Sequence, residues 1–153
     1  MRVGVAADHE GFELKEQILA ALSKMHFATI DFGAPTLSDS DDYPDYMVPL
    51  AKAVSGGEIN RGIAICGSGI GASIACNKIR NVRAGLVHDL FSARQGVEDD
   101  DMNVICLGSR LVTLSLALGL IECFLGAQFS GQARHKRRLA KISKLEEEME
   151  MQP

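Results

Sequence analysis

Short apolar runs separated by longer stretches of helical periodicity constrain this chain more than any other feature. The runs are Val3–Ala7, Phe27–Phe32, Gly62–Cys66, Ala84–Val87 and Val104–Leu107. Apart from Phe27–Phe32, which holds Thr29 and Asp31, they are continuously apolar rather than alternating, as strands of a parallel sheet buried on both faces are. Between them, helices are expected near Phe12–Met25, Asp45–Ser55, from a glycine loop at 67–71 through Lys78, Ser92 to about Glu98, Val112–Leu125 and Ala133–Glu150. The first carries Phe12, Leu14, Ile18, Leu19 and Leu22 on one side. Strands alternating with helices predict an α/β protein: a three-layer α/β/α sandwich, Rossmann-like, with about five parallel strands. No repeat or linker divides the chain. One domain over 1–153 is expected, with 133–153 as a C-terminal helix and tail.

Composition narrows the function classes. Of 153 residues 46% are hydrophobic, enough to bury a core without disulfide or metal staples. Lys and Arg number 16 against 20 Asp and Glu, a net charge of −4. That leaves no global basic field for nucleic acid or an anionic membrane. No apolar run approaches the ~20 residues of a membrane span. Asp8 arrives too early for a signal-peptide apolar region, so a soluble, cytoplasmic protein is expected. Cys66, Cys76, Cys106 and Cys123 lack the spacing of a zinc site or a disulfide framework. Cys76 and Cys123 read as buried small hydrophobes.

In open parallel sheets, ligands bind beyond the carboxyl ends of the strands. The loops to inspect therefore hold Asp8-His9, Cys66-Gly67-Ser68-Gly69-Ile70-Gly71, His88-Asp89 and Gly108-Ser109-Arg110. In the second of these, three glycines in five positions let backbone N–H groups converge at a helix N-terminus. The loop could be a plain strand-to-helix turn, hold a phosphate, or stabilise a developing oxyanion. It lacks the Walker lysine and the dinucleotide spacing. Cys66 at its head favours chemistry, since a thiol beside a helix N-terminus can serve as base or nucleophile. Asp8-His9 could orient sugar hydroxyls or meet a phosphate, although a strand-end Asp often caps the next helix.

The tail carries Arg134, His135, Lys136, Arg137, Arg138, Lys141 and Lys144, then three glutamates. Most of this reads as a solvated helix face. Arg134 and Arg138, four apart, share a face and could grip one phosphate. Leu139, Ile142, Leu145 and Met149 form an apolar stripe suited to the chain itself or to a partner subunit. No aromatic platform accompanies the basic run, so RNA is a poor reading. His26 reads as structural, and Glu98-Asp99-Asp100-Asp101 as a solvated loop without a calcium-site pattern.

Taken together, the motifs resemble a known family. Asp8-His9-Glu10-Gly11-Phe12-Glu13-Leu14-Lys15, Asp42-Tyr43-Pro44, the 66–71 loop, Asn77-Lys78, Ser92-Ala93, Asn103-Val104, Gly108-Ser109-Arg110 and Arg134-His135 with Arg138 are similar to type B ribose-5-phosphate and galactose-6-phosphate isomerases over nearly the whole chain. The resemblance implies a cofactor-free aldose–ketose isomerisation of a sugar phosphate through a cis-enediolate. By it Cys66 is the base between C1 and C2, and Ser68 stands where the family commonly has Thr. The N–H groups of Gly67, Ser68, Gly69, Ile70 and Gly71 hold the enediolate oxygen. His9, Arg110, Arg134 and Arg138 meet the phosphate, Asp8 a sugar hydroxyl, and Tyr43 lines the substrate site. It also implies a homodimer or tetramer whose sites borrow residues from a neighbouring subunit, with the tail helix at that boundary.

One departure stands out. Family ribose isomerases usually carry His-Asn where this chain has Asp99-Asp100, and that His is assigned to opening the furanose ring. Asp99 as the acid, with Asp100 beside the substrate, would need a strongly shifted pKa. His88 is the other candidate in the chain. A tetrose 4-phosphate cannot close a furanose ring, so its isomerase would need no such acid. Ribose 5-phosphate is the expected substrate and erythrose/erythrulose 4-phosphate the alternative. A non-catalytic sugar-phosphate sensor is a third reading, against which the retained Cys66 and glycine loop argue.

Overall fold

The computed structural model describes residues 1–151; the final two positions of the expected tail lie outside the described residues. Five parallel strands form one sheet: β1 (Arg2–Ala7), β2 (Ala28–Asp31), β3 (Arg61–Cys66), β4 (Ala84–Leu86) and β5 (Val104–Gly108). The order is β2-β1-β3-β5-β4. The helices are α1 (Phe12–Lys24), α2 (Pro44–Ser55), α3 (Ile70–Cys76), α4 (Leu90–Asp100), α5 (Leu114–Gly126) and α6 (Ala133–Glu150). This is the expected Rossmann-like α/β architecture.

Two apolar cores sandwich the sheet. Val3, Val5, Ile63, Ile65, Ile105 and Leu107 face α1, α4 and α5. Ala6, Ala64, Cys66, Val104 and Cys106 face α2 and α3. The three central strands are buried on both faces, which is why they read as unbroken apolar runs. Edge strand β2 is only half buried. Lys15 is fully buried on α1, its ammonium 2.5 Å from Asp31 and 2.7 Å from Glu16, so the charge is paired. Arg61 donates to the carbonyls of Phe124 and Ala127, satisfying the open C-terminus of α5.

The acidic run is a correction. Glu98, Asp99 and Asp100 form the last turn of α4 rather than a loop, and only Asp101 lies past it, in the left-handed region (φ 48). Carboxylates oppose the helix dipole there. Compensation comes from Arg94 on Glu98 at 3.1 Å, Gln95 donating to Asp99 at 2.8 Å, and Arg83 on Asp101 at 2.9 Å. The helix also starts two residues early, because Asp89 caps it by accepting Ser92 N–H at 2.8 Å. Helix α3 ends at Cys76, short of Lys78.

Candidate active site

The strand order reverses between β1 and β3: the chain goes from β1 outward to β2, then crosses back to β3 on β1's other side. Such a reversal leaves a crevice at the carboxyl ends. Asp8-His9 leaves β1 there, the 66–71 loop leaves β3, and Ser109-Arg110 leaves β5.

The loop after β3 is braced by the loop after β5: Ser109 N–H donates to the Cys66 carbonyl (2.9 Å) and Arg110 N–H to that of Gly67 (3.1 Å). The Cys66 thiol is nearly buried, and Gly69 N–H donates to its sulfur at 3.2 Å. Gly69 has φ +77, and an added Cβ would stand 2.5 Å from Leu86 Cδ1, so only glycine turns the chain here. The first bond within α3 runs from Ser73 N–H to the Gly69 carbonyl. The N–H groups of Gly71 and Ala72 therefore have no acceptor within the helix. Ile70 N–H goes to Ser68 Oγ at 3.3 Å, which leaves the Ser68 hydroxyl hydrogen free to donate. Tyr43, at the start of α2, covers the loop: a Cβ on Gly71 would lie 2.7 Å from its Cζ.

Asp8 is buried, and its Oδ1 accepts Gly11 N–H at 3.1 Å, so it does organise the start of α1. Burial pushes its pKa up despite that bond. His9 is gripped by Asp41, from the polar loop ahead of α2. Asp41 Oδ1 lies 2.6 Å from His9 Nδ1 and accepts His9 N–H at 3.0 Å. The Asp41 hydrogen bond raises the His9 pKa. Burial works to raise that of Asp41, but its bonds to His9 outweigh this and hold it below the usual carboxylate value. The other His9 nitrogen, Nε2, is 3.8 Å from Glu10 Oε1. Glu10 makes a two-pronged pair with Arg110, Oε1 to Nη2 at 2.5 Å and Oε2 to Nε at 3.1 Å. The Arg110 guanidinium lies over Gly67, the residue after Cys66.

Asp8, His9, Tyr43, Cys66, Gly67, Ser68, Gly69, Ile70, Gly71 and Arg110 thus gather at the carboxyl edge. Asp99, Asp100, Arg134 and Arg138 do not join them within one chain. Helix α4 starts at that edge but runs back along the sheet, so Asp99 and Asp100 end beside the start of β5. An eleven-residue helix spans roughly 16 Å. There Asp99 Oδ1 lies 3.4 Å from Nε2 of buried His135, to which Arg134 Nε donates at 3.1 Å. Arg138 follows one turn along α6, exposed. Leu139, Ile142, Leu145 and Met149 line a cavity of about 570 Å³ against β4 and α4 that Asp100 also borders. His88 is exposed after β4, at the far edge of the sheet. Among the described residues no helix is long and apolar enough to cross a membrane.

Asp41 carried no signal: it sits in Ser38-Asp39-Ser40-Asp41-Asp42, where every residue looks solvent-bound. Its partner is 32 positions away. Glu10 and His135 lie inside quoted motifs, but nothing in the sequence gives their contacts.

Comparison with known proteins fits this geometry. Residues 3–142 match the family described as Ribose/Galactose Isomerase. Ribose-5-phosphate isomerase B of Escherichia coli is 40% identical, the match covering 95% of this chain and 97% of that one. D-erythrulose-4-phosphate isomerase 2 of Mycolicibacterium smegmatis is 34% identical, over 87% and 89%. The crystal structure of ribose-5-phosphate isomerase B from Mycoplasma genitalium with bound ribulose-5-phosphate superposes with a TM-score of 0.91 at 38% identity, over 96% and 97%. By extent, identity and fold alike, the chain belongs to the ribose/galactose isomerase family.

Proposed function

We propose that the protein is a cofactor-free, single-domain, cytoplasmic aldose–ketose isomerase acting on a sugar phosphate, with ribose 5-phosphate to ribulose 5-phosphate as its reaction. The observation that carries this is the Cys66 thiol, held by Gly69 N–H in the glycine loop between Asp8-His9 and Arg110. As thiolate, Cys66 takes the proton from C2 of the open-chain aldose and returns it to C1, while the O2 proton passes to O1. The N–H groups at this loop that are not already bonded, those of Gly71 and Ala72 among them, hold the oxygen that becomes negative in the enediolate, where fixed donors need no reorganisation. Ser68, whose hydroxyl hydrogen is free, donates to a substrate oxygen. Asp8 meets a sugar hydroxyl with the carboxyl group that also accepts Gly11 N–H. Tyr43 closes the loop side.

His9 and Arg110 face the phosphate from one chain. Arg134 and Arg138 would come from a second copy, because their own chain points them elsewhere. A homodimer or tetramer with shared sites follows. Exposed Ile70, Ile74, Leu90 and Phe91 beside the site supply apolar surface for it, with α6 reaching across the boundary.

A second reading is the tetrose 4-phosphate. Asp99, at the ring-opening position, accepts from Gln95 and faces His135 at the end of α4, away from the Cys66 loop of its own chain. Relatives include one named for erythrulose 4-phosphate. Turnover on ribose 5-phosphate beside erythrose 4-phosphate tests both. Preference for the pentose supports the first reading and preference for the tetrose the second. Phosphate-ligand binding without exchange of the substrate α-hydrogen would mean a sensor rather than an enzyme.

A further inference from the structure

The Glu10 carboxylate occupies the space between the two cationic side chains that one chain offers to an anion. Its Oε1 lies 2.5 Å from Arg110 Nη2 and 3.8 Å from His9 Nε2, and its Oε2 lies 3.1 Å from Arg110 Nε. A planar carboxylate forked onto a guanidinium is the geometry in which Arg also takes a phosphate. His9 cannot turn away from this position, because Asp41 holds Nδ1 at 2.6 Å and leaves only Nε2 facing Glu10.

The pair adds little to folding stability. The Arg110 side chain is 67% exposed, and exposed pairs contribute little stability. Asp8 already fixes the backbone here through Gly11 N–H, so Glu10 can leave by side-chain rotation alone. A cavity of about 310 Å³ borders both Glu10 and Arg110 on the side of Glu13 and Gln17.

We infer that Glu10 is a built-in competitor for the anion site: in the free protein its carboxylate stands where a substrate phosphate binds, and a ligand must displace it from Arg110. The inference rests on the proposed isomerase site. Its consequence is discrimination. A lone inorganic anion must oust the carboxylate with no further contacts, whereas a sugar phosphate brings the binding energy of its hydroxyls as well. Glu10 is thus a specificity-determining residue, distinct from the groups that move protons.

Titration calorimetry of the full chain with inorganic phosphate tests this. Glu10→Gln should bind phosphate about three- to fivefold more tightly than wild type, the scale of an exposed ion pair. Glu10→Asp, which keeps the charge but shortens the reach, should fall between them. The gain from Glu10→Gln should vanish when Arg110 is also changed to Gln. Equal or weaker binding by Glu10→Gln, with an unchanged melting temperature, would overturn the inference and leave Glu10 as a brace for Arg110. Tightening that persists without Arg110 would overturn it too, as would an absence of phosphate binding in both proteins. Wild-type turnover on sugar phosphates judges the isomerase reading separately, so the two can fail independently.

Discussion

Asp41 holds His9 twice through a single oxygen: Oδ1 lies 2.6 Å from the imidazole Nδ1 and takes the backbone N–H at 3.0 Å. One carboxylate therefore sets the position, the rotamer and the charge of the imidazole.

The pair makes a pH-dependent prediction. His9 titrates higher when folded than its ordinary 6.5, and Asp41 lower than 3.8. Their interaction is therefore fully present between those two values. It is lost as pH rises through the raised His9 pKa, or falls through the lowered Asp41 one. Asp41→Asn should lower the His9 pKa seen by NMR, and phosphate affinity should fade at a lower pH than in wild type. The melting-temperature gap between the two proteins should close on the alkaline side. A gap constant from about pH 5 to about pH 9 would remove Asp41 from this role.

Cys66→Ala should reduce kcat by about 10²- to 10⁴-fold or more, the usual worth of a positioned general base, while phosphate-ligand binding stays nearly intact. Retained turnover would place the base elsewhere.

Shared sites predict complementation. Cys66→Ala fails on the β3 loop of one copy, and Arg134→Ala with Arg138→Ala fails on the tail of the other. Neither preparation should turn over efficiently alone. After equilibration of an equal mixture, a two-fold assembly with sites built across the boundary regains about a quarter of its sites. A mixture no more active than its components would mean that each chain builds its site unaided.

Gly69→Ala tests the loop as scaffold. The added methyl meets Leu86 Cδ1 at 2.5 Å and the Leu107 carbonyl carbon at 2.9 Å in a left-handed backbone. A stability loss of roughly 1–3 kcal/mol or more is expected, together with lost turnover. Unchanged activity and melting would contradict the tight turn.

How far the sequence leads depends on what a residue's neighbours in the chain determine. Strands β1, β3 and β5 are legible because burial on both faces leaves only apolar residues, and they carry the site loops. Helix α4 is harder to bound: Gly96 and a carboxylate cluster at its end oppose local preference, and contacts from Arg83, Arg94 and Gln95 overrule it. The Cys66 loop announces itself through its glycines. The network around it does not, since Arg110 and Glu10 are separated by 100 positions. Asp99 illustrates the same limit: sequence places it at a family position, and only the fold shows the Gln95 and His135 contacts that occupy it.

The strand order has a bearing on biosynthesis. Strand β5 lies between β3 and β4, so Ala84–Leu86 has only Val104–Cys106 to pair with, and β3 keeps an open edge until the same segment arrives. On a ribosome the chain must emerge past residue 108 before its sheet can close. A nascent chain arrested before then exposes two unpaired edges, and completing β5 seals both at once.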